Sequence, residues 1–144
     1  MPDFTAFFAA DLPSKEIPFT VAGQECSVTV RPMDHAAYLA FQAAGMRLTA
    51  ADSPDPDELR KWQEQLVRSC VVDWTIRREK AARYSVEGPA TETVVEETRP
   101  STKLSERGAE FLRLRFTPEV WNWIVEECLG VCGLQEPDAG NSAA

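Results

Sequence analysis

The sequence predicts an α+β fold that is mostly α-helical, in which an N-terminal β-hairpin packs against three or four helices. Apolar residues alternate on both sides of a glycine near residue 23, which is typical of a hairpin, and they recur at helical spacing in three later segments. The chain has 144 residues, of which 44% are hydrophobic and 26% charged, as in an ordinary globular domain. We therefore expect one small domain over residues 1–134 and a disordered tail over 135–144.

The first segment, residues 1–13, carries three phenylalanines at helical spacing. Phe4, Phe7 and Phe8 lie three and four positions apart, on one face of a short helix that Pro13 ends. Short amphipathic segments of this kind dock either on their own domain or into a partner's groove. Both interpretations stay open, and the three rings are candidate partner-binding residues.

The hairpin is predicted over residues 16–31. Its turn is Ala22-Gly23-Gln24, and Pro18 suits an edge strand because proline cannot donate a ladder hydrogen bond. The alternating apolar residues are Ile17, Phe19, Val21, Cys26, Val28 and Val30. An isolated two-stranded ribbon is only marginally stable, so helices must cover its apolar face.

Two helices are predicted next, at about 33–45 and 55–72. Asp34 can cap the first, and Gly45 is a plausible end for it. The second has acidic residues in its first turn and an apolar stripe: Leu59, Trp62, Leu66, Val67 and Cys70. From Val71 to Ile76 a helix end and a short strand are both compatible with the β-branched composition.

Residues 77–103 are predicted to form a long, mobile insertion before the last helix. Large apolar residues are scarce there, and Gly88-Pro89 and Arg99-Pro100 interrupt regular structure. Within it, residues 91–96 are compatible with an exposed strand. A short helix weakened by Gly108 is predicted between Leu104 and Leu114.

The last helix, at about 117–132, has the clearest signals. Thr117 is a good N-cap, Pro118 occupies the first helical position, and Phe116 with Trp121 forms a hydrophobic staple. Trp121 and Trp123 lie about 200° apart around a helix, so both cannot face one core. The second ring must therefore face a second layer of the domain, the insertion or a partner protein. Tryptophan is favoured at interfaces, and Trp74, Trp121 and Trp123 are therefore candidate partner-binding residues.

The sequence offers no recognisable catalytic, cofactor-binding or metal-binding motif, so we expect a non-enzymatic protein with no cofactor. Cys128 and Cys132 are four positions apart on an apolar helical face, where cysteine usually packs as a small hydrophobe rather than ligating metal. The single histidine, His35, has no nucleophile at a motif spacing. A net charge of −8 argues against a nucleic-acid binder.

The chain is expected to be cytoplasmic, with reduced thiols and no membrane association. Its first apolar run, residues 4–10, follows Asp3 rather than a basic residue, unlike a signal peptide, and is too short to span a bilayer. Nothing in the sequence decides whether it forms a homo-oligomer.

The order of these segments resembles the tail assembly chaperones of long-tailed, siphovirus-type bacteriophages. The resemblance combines a hairpin with a central glycine, an Arg-Pro helix start, an apolar-Asp-Trp stretch and a final helix opened by Pro-Glu. The matching positions are Gly23, Arg31, Pro32, Val72, Asp73, Trp74, Pro118 and Glu119. The resemblance implies a non-catalytic protein of the bacterial host cytoplasm that binds the tape-measure protein and helps recruit tail-tube subunits.

Two other functions remain as alternatives. One is a small structural virion protein, such as a connector or tail-completion component. The other is an acidic inhibitory protein that mimics nucleic acid, which the nine basic residues among 77–115 make less suitable.

Overall fold

A two-residue turn begins the sheet. Ala22 and Gly23 both have positive φ, 50° and 81°, which gives the backbone twist that a tight hairpin requires. The flanking strands pair antiparallel from Lys15 opposite Val30 to Val21 opposite Gln24. The predicted hairpin is therefore confirmed, with its turn one residue shorter than expected.

The computed structural model describes residues 1–53, 55–84, 90–101 and 107–134, and for 81–84 and 90–93 the backbone alone. The regular elements of this part of the chain are β1 (Lys15–Val21), β2 (Gln24–Val30), α1 (His35–Ala50), α2 (Pro56–Cys70), β3 (Val71–Tyr84), β4 (Ala90–Thr98), α3 (Arg107–Arg113) and α4 (Pro118–Val131). The described strands form one antiparallel sheet in the order β1-β2-β3-β4. The fold is α+β, as predicted.

The core lies between the sheet and the helices. Val28 and Val30 of β2 face Leu66 and Val67 of α2 and Ile124 of α4 in one buried cluster. Helix α2 contacts each of the other three described helices and strand β3. It is the central helix of the domain.

Capping side chains begin three helices close to the predicted positions. The Asp34 carboxylate accepts a hydrogen bond from Ala37 N at 2.8 Å, and the Thr117 hydroxyl accepts one from Val120 N at 3.4 Å. Asp55 caps α2, which ends at Cys70 rather than 72 because the chain continues directly into β3. Residues Val71–Ile76, for which a helix end and a short strand were both open, thus form the first part of strand β3.

Helix α1 is longer than predicted. It continues through Gly45 to Ala50, so Gly45 is not its end. This glycine is instead a point of close packing, since a Cβ there would lie 3.1 Å from Trp62 Nε1. Gly108 likewise lies in a helix at a close approach, since a Cβ there would lie 3.3 Å from Arg68 Cα.

The prediction that regular structure is lost over residues 77–103 is wrong for 77–84 and 90–98. Most of that range belongs to β3 and β4, which pair from Ile76 opposite Thr98 to Tyr84 opposite Ala90. Ion pairs on exposed side chains cross the two strands, with Arg77 Nε 2.9 Å from Glu97 and Arg78 Nε 3.2 Å from Glu96. The predicted exposed strand at 91–96 lies inside β4.

The N-terminal segment is not the predicted amphipathic helix. Its regular structure is a 3-10 turn at Ala9–Asp11, and all three phenylalanines precede that turn. The expectation of disorder over 135–144 lies outside the described residues.

Candidate functional site

Helix α1 is apolar on almost every side. All sixteen of its residues are described, and Arg47 carries the one formal charge among them, with His35 counted as neutral. Phe41 is the one buried residue of this helix. Leu39 and Met46 are 49% and 66% exposed. Helices of this composition are normally covered, so α1 presents an apolar surface that this chain leaves largely open.

A groove runs between α1 and α2 and closes against the end of α4. It encloses about 550 Å³, within the range of ordinary ligand-binding pockets. Its lining consists of Tyr38, Phe41, Gln42, Gly45, Met46, Leu48, Thr49, Ala51, Leu59, Trp62, Leu129 and Leu134. None of these described residues is charged. The arrangement suits apolar side chains rather than a charged substrate.

The floor of the groove is held in place by an aromatic pair. The rings of Phe41 and Trp62 stack with centroids 4.5 Å apart and planes 12° from parallel. Trp62 Nε1 also donates a hydrogen bond to the Phe41 carbonyl oxygen at 3.2 Å. Gly45 lies directly beside the same indole. The groove is therefore preformed, which reduces the entropy lost when a ligand binds.

Charged side chains of both signs lie around one end of the groove. Asp55 and Glu58 at the start of α2 and Arg47 of α1 border a depression that shares Leu48 and Ala51 with the groove. Glu58 Oε1 lies 3.9 Å from Lys61 Nζ in an exposed pair that contributes little stability. This end of the groove therefore has no single sign of charge.

The N-terminal phenylalanines form a second apolar surface. Phe4, Phe7 and Phe8 are 81%, 92% and 64% exposed, and they lie outside the core cluster of the described residues. Phe7 and Phe8 contact each other edge to face at 5.0 Å. We call residues 1–8 the phenylalanine arm. The structure thus leaves these candidate partner-binding residues accessible.

The three tryptophans that are candidate partner-binding residues all make contacts within the domain. Trp74 is 2% exposed and packs on Phe111, so no partner can reach it in this conformation. Trp121 is half-buried, and its indole donates to Gln63 Oε1 at 2.9 Å. Trp123 packs on Phe19 of β1 with centroids 4.9 Å apart. Of the three alternatives for the second ring of α4, a second layer is therefore the one found, because strand β1 of the sheet lies against Trp123.

Three thiols meet in the core at the ends of α2 and α4. Cys70 Sγ lies 3.5 Å from Cys132 Sγ, and all four cysteines of the chain are free. A hydrogen bond to Cys128, together with burial, raises the pKa of the Cys70 thiol to about 12. The bond to Cys70 and burial also raise the pKa of Cys132. Such thiols are poor nucleophiles and pack as small hydrophobes.

No constellation in the described part of the chain resembles a metal centre. Among those residues, no group of three or more His, Cys, Asp or Glu side chains is arranged to hold an ion. His35 is exposed at the first residue of α1. None of the described helices combines the length and apolar composition that a membrane-spanning segment needs.

Comparison with protein-family models, curated proteins and solved structures finds no significant match to this chain. Sequence reasoning missed the groove because the groove depends on how α1 packs beside α2 and the end of α4. The signal was nonetheless present: residues 36–46 contain no charged side chain at all.

Proposed function

We propose that this chain is a non-enzymatic tail assembly chaperone of a long-tailed bacteriophage, acting in the host cytoplasm. It would bind the tape-measure protein and help recruit tail-tube subunits. The order of sequence motifs suggests this class of protein. The observation that supports it best is the uncharged, preformed groove along α1, which fits a binding protein better than an enzyme.

The groove suits an amphipathic helix. Such a helix inserts apolar side chains at positions i, i+3 or i+4, and i+7 into a hydrophobic groove. The length of α1, about 24 Å, would accommodate roughly four turns of a partner. A tape-measure protein is a long helical ruler whose apolar faces need cover before assembly. The net charge of −8 would keep the complex soluble.

Co-expression with the tape-measure protein of the same phage genome tests the proposal. We expect the two proteins to co-purify and the soluble fraction of the tape-measure protein to rise. A glutamate in the groove, Leu59→Glu, should weaken the complex about tenfold or more because it places a charge where apolar contacts form. Val94→Glu is the matched control, since Leu59 and Val94 are both 44% exposed and Val94 lies on β4.

Two results would count against the proposal. One is that the proteins neither associate nor change the solubility of the tape-measure protein. The other is that Leu59→Glu and Val94→Glu behave alike, which would place the partner elsewhere on the chain. Finding the chain at stoichiometric copy number in purified particles would favour a structural virion component instead.

A further inference from the structure

We infer that two copies of this chain associate by exchanging their phenylalanine arms, each arm lying in the α1–α2 groove of the other copy. The inference concerns the same groove as the proposed function and adds a way of regulating it, but its evidence does not depend on the identity of any partner. An exchanged arm would cover the groove until a helix of the tape-measure protein displaces it.

The arm has the chemistry that the groove accepts. Three of its eight residues are phenylalanines with most of their surface in water, and Asp3 is its one charged side chain. The described lining of the groove is uncharged and includes the aromatic rings of Tyr38, Phe41 and Trp62. Aromatic pairs gain about 0.5–1.5 kcal/mol beyond area burial. The arm and the groove are therefore both apolar surfaces exposed to water, and each can cover the other.

The area that the arms would bury is enough for a stable dimer. Burial removes about 150–250 Å² of surface for each aromatic side chain. The three rings of one arm therefore bury roughly 450–750 Å². Two arms bury roughly 900–1,500 Å² before the groove residues are counted, and stable interfaces bury about 1,200–2,000 Å² in total. The dimer is closed, because each copy gives one arm and receives one.

The geometry of the chain makes the arm available at the right place. Ala9 and Ala10, which follow the arm, line a cleft with Asp34 and Ala37 at the start of α1. The eight residues before them span at most about 26–29 Å when extended. This is comparable with the length of α1, about 24 Å. An extended arm is thus long enough to cover most of a groove that runs along α1.

Sedimentation velocity of the full chain over a concentration series tests the inference. We expect a dimer of twice 16.0 kDa that dissociates on dilution. The arm variant Phe4→Ser/Phe7→Ser/Phe8→Ser should be a folded monomer, because none of these residues belongs to the core cluster. Each serine should lower the association constant about tenfold or more.

The groove variant Met46→Glu should also be monomeric, whereas Leu39→Glu should still dimerise. Leu39 is the matched control because it is exposed on α1 but does not line the groove. The decisive experiment mixes the arm variant with the groove variant. The arm variant has an intact groove and the groove variant has an intact arm. Together they should form a mixed dimer in which one arm lies in one groove.

Three results would overturn the inference: a monomer at every concentration, a dimer unaffected by the arm variant, or no mixed pair. A monomeric parent chain whose two variants nevertheless form a mixed pair would mean that each arm covers its own groove. These measurements use the chain alone, so they can fail while the tape-measure protein still binds, or succeed while it does not.

Discussion

The contact between Trp123 and Phe19 can be measured as a free energy. The two rings lie 4.9 Å apart at an interplanar angle of 50°, and both pack against the core from its edge. Phe19→Ala and Trp123→Ala should each lower the free energy of unfolding. Together they should lower it by less than the sum of the two single effects, because the second substitution has no ring contact left to remove. Aromatic pairs of this geometry give coupling energies of about 0.5–1.5 kcal/mol.

The assay is urea unfolding of the parent, both single variants and the double variant, followed by circular dichroism. Residues that do not interact give additive effects within about 0.3–0.5 kcal/mol. A coupling energy below about 0.3 kcal/mol would therefore refute the conclusion that β1 covers Trp123. The cycle of Phe19→Ala with Trp121→Ala is the control. The Trp121 indole hydrogen-bonds Gln63 on α2, so this second cycle should be additive.

Two glycines should respond oppositely to alanine, and the buried thiols should respond to pH. Gly23→Ala should cost about 1–2 kcal/mol because φ is 81° there, whereas Gly130→Ala should add about 0.5–1 kcal/mol because Gly130 lies within α4 with open space around its Cα. Urea unfolding of both variants checks this, and equal effects would contradict the assigned backbone conformations. The folded-state pKa of Cys70 is raised from 9.0 to about 12, so its thiolate is disfavoured by folding, and stability should fall as pH rises through this interval. Thermal unfolding from pH 8 to 11 should show the loss, and Cys70→Ala should reduce it, whereas an unchanged slope in that variant would refute the assignment.

The elements that sequence predicted well are those with local signals. Helix α4 could be predicted because Thr117 and Pro118, two adjacent residues, specify where it begins. The hairpin could be predicted because Gly23 allows the turn and alternation marks both strands. Such signals require no knowledge of what packs against them.

The features that sequence missed depend on distant residues. Short strands at 71–76 and 91–96 were compatible with the sequence, but the length of β3 and β4 and their pairing rest on cross-strand contacts such as Arg77 with Glu97, twenty positions apart. Gly45 looked like a helix end because nothing local indicated that Trp62 would lie against it. The groove was missed for the same reason, since it requires two helices and the end of a third.

Strand β3 changes its neighbour along its length, which divides the chain into parts that need not open together. Its first residues pair with β2 over a buried stretch that includes Val71 and Trp74, whereas from Ile76 onward it pairs with β4 alone among the described strands. Arg78, Glu79 and Lys80 in this second part are exposed. Backbone amide hydrogens in this second part should exchange with solvent through local opening. Amide hydrogens beside Trp74 should exchange only when the whole domain unfolds. One continuous strand thus belongs to two cooperative units, and its outer part can be lost without loss of the core.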